Sequence, residues 1–213
     1  MEMRKKAISY FFIIAILIST MTGCVKIVKI GEESKLIASE EFDTVSNVDE
    51  MWDVNILPEL LDKTVSLQDL LNDSRGDLEL LGDNYGKIAE GGALNFTVKG
   101  SGQVILVNTD SRAGYMEIDL DGYDKNTIIK LQIGPVFKGT AVRDSSDIVK
   151  FADYTNQVDY AAASKSIHDK IYENIISDID VESLIGKNIE FAGCFTFENN
   201  DELLITPIRI VEN

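Results

Sequence analysis

From Asn95 onward the apolar residues of this chain change their spacing from three and four to two, and that change limits its fold more than any other feature. "NFTVKG" and "GQVILVN" predict one long first strand, "GYMEIDL" a second and "TIIKLQIG" a third, with "DGYDKN" as the turn between the last two. In "PVFKGTAVRD" the residues Pro135 and Gly139 predict a bend or bulge in a long third strand rather than its end. Helical spacing returns in "VDYAAASKSIHDKIYENIISDI", where Tyr160, Ala163, Ile167, Ile171 and Ile175 lie on one stripe. "KNIEFAGCFTF" and "ELLITPIRIVE" then close the chain as two strands joined by "ENND", whose Asn and Asp residues suit a turn.

Three strands, a helix and two strands match the order of the five-stranded Greek-key barrel called the OB-fold. The expected class is therefore α+β: an OB-like five-stranded antiparallel barrel over residues 91–213, with its helix between strands 3 and 4. Residues 42–90 precede it as a helical pair. In "VSNVDEMWDVNILPELLDK" the positions Val45, Val48, Trp52 and Ile56, then Leu57, Leu60 and Leu61, predict a helix that breaks or restarts at Pro58. "SLQDLLNDSRGDLELLGDNYG" predicts a second helix, Ser66 to Gly82, with Ser66 as its N-cap. Trp52 either packs this pair onto the barrel, the simpler reading, or anchors a partner.

The amino-terminal end has a different logic. Arg4, Lys5 and Lys6 precede the twelve apolar residues "AISYFFIIAILI", a run shorter than the roughly 20 residues that span a bilayer and proportioned like the core of a signal peptide. It ends in Met21-Thr22-Gly23-Cys24, which resembles the lipobox of bacterial lipoproteins, with Met21 where leucine is commonest. The resemblance implies a signal peptide over 1–23, cleavage before Cys24, lipid on the Cys24 sulfur and a polar stalk over 24–41. Two or three acyl chains on one residue meet the need for more than one anchoring signal. Removing residues 1–23 takes three basic residues and one acidic residue from totals of 20 and 36, leaving 17 and 35 and a formal charge of -18. Such a surface repels phosphate backbones and anionic headgroups, which argues against nucleic acid as a partner and leaves membrane contact to the lipid.

With Cys24 lipidated, Cys194 has no partner within the chain, so this is not a disulfide scaffold. Cys194 sits in an apolar strand and reads as a small buried hydrophobe, and the one histidine, His168, lies in a helical pattern rather than beside it. No glycine-rich phosphate loop, zinc spacing or catalytic-serine elbow is written in the chain, so no cofactor, no metal and no enzymatic activity are expected. "DLDGYD" collects three aspartates but reads as a hairpin turn, because Asp-Gly is itself a turn signal and the spacing is not that of an EF-hand. The candidate binding residues are Ser111 and Arg112 after the first strand, Arg143 and Asp144 in "GTAVRD", and Asn156 and Gln157 at the start of the helix. Arg112 offers a fork of donors to a carboxylate or phosphate, or simply ends its strand. For the others helix capping stands beside a polar pocket as an equal or simpler account.

"FDTVSNVDEMWDVNILPELL", "VKGSGQVILVNTDSRAG", "LQIGPVFKGTAVRD" and "FADYTNQVDYA" together resemble a family of bacterial predicted periplasmic lipoproteins of unknown function. The matching positions are Ser111, Arg112, Gly114, Gly134, Pro135, Gly139, Thr140, Arg143, Asp144, Thr155, Asn156 and Gln157. Members of that family often lie beside genes for sugar ABC importers, so the resemblance implies an accessory role in carbohydrate uptake, with ABC transporter subunits as partners. It supplies no catalytic residues. The expected protein is thus a lipid-anchored extracytoplasmic binding or adaptor protein. A small-molecule sensor or carrier with its pocket near Arg112 and Arg143 is the alternative, and a hydrolase using acidic residues is a more distant third.

Overall fold

The computed structural model describes residues 44–213 apart from 75–76 and 124–125; the signal segment, Cys24 and the stalk lie outside the described residues. Five strands form the barrel: β3 (Leu94–Asn108), β4 (Ala113–Leu120), β5 (Ile128–Pro135), β6 (Asn188–Thr196) and β7 (Glu202–Glu212). They are hydrogen-bonded in the order β3-β4-β5-β7-β6, and β6 returns to β3 to close the ring. Four of these pairings are antiparallel, but β5 and β7 run parallel from Ile128 opposite Glu202 to Leu131 opposite Ile205. The barrel is therefore mixed rather than wholly antiparallel. The odd number of strands forces this: five strands round a closed ring cannot alternate in direction throughout, so one neighbouring pair, here β5 and β7, runs parallel.

One long strand serves both halves of the ring. Asn95 to Gln103 of β3 face β6, and Gly102 to Asn108 face β4, with a bulge at Ile105 within the β4 pairing. Gly102 sits at the changeover, where a Cβ would come within 2.3 Å of the Asp119 carbonyl oxygen, so only glycine permits that approach. Alternation buries Phe96, Val98, Met116, Ile118, Ile129, Leu131, Ile189, Phe191, Leu203 and Ile205 in a core where the Phe96 and Phe195 rings stack at 5.3 Å.

The residues before the barrel are more broken than their pattern predicts. Helix α1 (Thr44–Met51), a wide turn over Trp52–Ile56 and helix α2 (Leu57–Asp62) form one continuous rod, and Pro58 stands at the start of α2, directly after the wide turn, without breaking the rod. The expected second helix is instead α3 (Leu67–Asp73), a 3-10 turn over Leu78–Leu81 and the short α4 (Gly82–Tyr85). Ser66 caps α3 as expected, accepting from the Asp69 N–H. Two short strands interrupt this layer. β1 (Val65–Ser66) and β2 (Gly86–Ile88) both pair with the first half of β3, along the edge that β4 does not reach. The helical layer is thus stitched into the sheet, and Trp52, Ile56 and Leu60 share one buried cluster with the barrel residues.

Between β5 and β6 lie α5 (Ala141–Ser145) and α6 (Gln157–Ile171), the latter extended by a wide turn over Tyr172–Ile176. The third strand ends at Pro135 rather than bending through Gly139, which corrects the expectation of a longer strand. Gly134 adopts φ +64° and breaks the extended run, and the following loop folds back over β5. Gln132 holds it there as a strand partner would: its Oε1 accepts from the Lys138 N–H at 2.6 Å and its Nε2 donates to the Lys138 carbonyl at 3.1 Å.

Candidate functional site

The candidate residues read from the sequence do not converge on one recess. Ser111 and Arg112 are exposed in the β3–β4 turn, where the Arg112 carbonyl accepts from the Val136 N–H at 2.9 Å. Arg143 and Asp144 lie on α5 with side chains only 11% and 9% exposed, joined by a 2.7 Å ion pair. Arg143 also donates to the Tyr160 carbonyl at 3.1 Å and stacks 3.8 Å from the centre of the Tyr160 ring, while Asp144 accepts from the Thr140 hydroxyl at 2.6 Å. Asn156 caps α6, accepting from the Val158 and Asp159 N–H groups, and the neighbouring Gln157 is exposed. Arg143, Asp144 and Tyr160 therefore tie α5 to the start of α6. Cys24 lies outside the described residues.

Several recesses mark the described surface. A bowl of 410 Å³ on the outer barrel wall has Phe191 and Leu120 among its lining residues, with Lys99, Arg209, Glu190 and Asp121 around them. A groove of 670 Å³ runs between the β6–β7 turn and the start of α5, past Lys138, Thr140, Glu198 and Asp201. Another, of 330 Å³, lies at the seam between the helical layer and the barrel, and it has the most developed chemistry.

Four segments build the seam pocket. Lys63 follows the end of α2, Asn84 to Lys87 come from α4 and β2, Asn95 and Thr97 from β3, and Ser145 and Asp147 from α5 and the turn after it. Alternation along β3 turns Asn95 and Thr97 away from the barrel core, and α5 covers this outer face so that both are buried. Asn95 accepts from the Thr196 hydroxyl at 2.6 Å, and Thr97 meets the Cys194 sulfur at 3.6 Å. The Ser145 side chain lies beside the same thiol; the residue is 2% exposed, and its hydroxyl makes no hydrogen bond of normal length. Burial pushes the Cys194 thiol up to about 11, against smaller downward pulls from Thr97 and Ser145, so it stays protonated and unreactive.

The rim is an ion network. Asp147 receives Lys87 at 2.9 Å and pairs with Lys63, which also pairs with Glu59. Glu59 in turn accepts from the Ser146 hydroxyl at 2.7 Å and the Asp147 N–H at 2.9 Å, and Lys87 donates to the Ser146 carbonyl. Hydrogen bonds from Lys63 and Lys87 hold the Asp147 carboxyl at about 2, so it is ionised at any ordinary pH. Burial pulls the Lys63 ammonium down, but its bonds to Asp147 and Glu59 outweigh that and leave it raised. The pocket thus offers a fixed acceptor, two fixed donors and buried hydroxyls within one small volume. Its residues escape sequence reading because they come from four segments with no common spacing. The one local signal is the run Ser145-Ser146-Asp147 directly after a helix.

A closed five-stranded barrel with a parallel β5–β7 seam and its long helix between the third and fourth strands defines an OB-fold protein, here with a helical layer stitched to its first strand. The crystal structure of an OB-fold protein from Thermotoga maritima is similar to it, with a TM-score of 0.63 at 15% identity over 81% of this chain and 99% of that one. The chain belongs to the family described as predicted periplasmic lipoprotein (DUF2291), whose model matches residues 13–211. Membership places it outside the cytoplasm as a membrane-anchored lipoprotein. Among the described residues no helix is long and apolar enough to cross a membrane. No curated protein matches the chain.

Proposed function

We propose that this chain is an extracytoplasmic binding or adaptor lipoprotein, held on its membrane by lipid on Cys24, without catalytic activity and accessory to an ABC-type sugar importer. The observation that carries the reading is the span of the family match. It starts at residue 13, inside the apolar segment, and ends at residue 211 in the last strand, so the match covers Cys24 as well as the barrel. Anchoring by acyl chains suits a body whose formal charge of -18 after removal of residues 1–23 holds it away from anionic headgroups. The importer as partner is drawn from the motif resemblance.

Two measurements test this. Cys24→Ser is expected to abolish labelling with an alkyne fatty acid and release the protein from membranes; continued membrane retention without label counts against the lipid anchor. Deleting the gene is expected to lower uptake of at least one sugar in a broad panel, and unchanged uptake throughout argues against the transport role.

A further inference from the structure

We infer that the seam pocket is a ligand site in its own right, and that it takes a small neutral polyhydroxylated molecule of about monosaccharide size. This goes beyond an adaptor role, which requires only a protein partner, and it rests on the reading of the chain as a binding protein. Its volume of 330 Å³ lies at the low end of the range for ligand sites, about 300–1,000 Å³, too small for a peptide or a dinucleotide. Charge narrows the class further. Lys63 and Lys87 line the pocket with Asp147, and Glu59 pairs with Lys63 from behind the lining, so the four charges cancel as a network and leave no net charge to draw an ion. A vicinal diol suits such a network, because one hydroxyl donates to Asp147 while the next accepts from Lys87.

The pocket wall asks for the same chemistry. Ser145 is buried, lines the pocket and has only the Cys194 thiol beside its hydroxyl, and Thr97 is engaged with the same sulfur, a weak partner. Tyr85 lines the same pocket, half exposed, and brings an aromatic ring to its rim.

The test is titration calorimetry on the full-length protein in phospholipid nanodiscs. D-Ribose, D-glucose, D-galactose and myo-inositol serve as neutral probes, with inorganic phosphate and L-glutamate as charged ones. At least one neutral probe is expected to bind saturably with a Kd below 1 mM, with no saturable heat from the charged pair. Asp147→Asn and Tyr85→Ala should each weaken binding at least tenfold. The Tyr85 side chain is half exposed, so its removal should leave the unfolding midpoint in place and separate lost binding from lost fold. Absence of binding by every neutral probe overturns the proposal, as does binding that survives both substitutions or a charged probe that binds as tightly. The two readings fail separately: an uptake defect in a protein that binds no neutral probe overturns this site alone, and binding without any uptake defect overturns the transport role alone.

Discussion

At the scale of single residues, Asp147 links α2, β2 and α5 through its pairs with Lys63 and Lys87. Its carboxyl titrates near 2 in the fold against 3.8 in an unperturbed chain, so the unfolded chain takes up the proton first as pH falls. The stabilisation it provides is complete above about pH 4 and lost between there and pH 2. Asp147→Asn should therefore lower the unfolding midpoint at pH 7 and leave it nearly unchanged near pH 2, as read by thermal melts across that range. The side chain is 62% exposed, so solvent screening keeps the loss below about 1 kcal/mol. Asn156 is the second test. It satisfies two N–H groups at the head of α6, and Asn156→Ala should cost about 1 kcal/mol in chemical denaturation. The capping reading of Asn156 was available from the sequence because a cap is a local contact. The Arg143–Tyr160 stack was not, because 17 positions of chain separate its partners.

At the scale of elements, the wide turns explain where helical patterns drift. The stripe in α6 runs Ala163, Ile167, Ile171 and predicts Ile175 next, yet Ile176 is the buried residue at 4% exposure while Ile175 is only partly buried. The turn over Tyr172–Ile176 is wider than an α-turn, and the position facing the core moves from four residues on to five. Ile176→Ala should accordingly cost about 2–4 kcal/mol and Ile175→Ala less than half as much, measured by denaturant titration. In the first rod, Val48, Trp52, Ile56 and Leu60 are all buried at strict four-residue spacing. On an ideal helix each such step overshoots by about 40°, and the wide turn over Trp52–Ile56 absorbs part of that drift. Sequence periodicity revealed both helices; it could not show their π-turns, which depend on what the helices pack against.

At the scale of the whole molecule, helical layer and barrel share one buried cluster, and β1 and β2 join the barrel sheet through β3. Unfolding should be a single transition: fluorescence of Trp52, the sole tryptophan, and far-UV circular dichroism should give coincident curves, with Trp52→Ala costing about 3–5 kcal/mol. Separate midpoints would show instead that the layer unfolds on its own. The five barrel strands, their order along the chain, the crossing helix and the buried identity of Cys194 were legible in the chain, because burial imposes a period of two or 3.6 on each element regardless of what lies opposite. The parallel closure of β5 on β7, the stitching of β1 and β2 to β3, and the end of the third strand at Pro135 were decided in three dimensions. Each depends on which backbone edge a segment meets, and a hydrogen-bonding edge leaves no mark on side-chain order. The seam pocket belongs with these, since Lys63, Lys87, Thr97, Ser145 and Asp147 converge only after the helical layer has docked on the barrel wall.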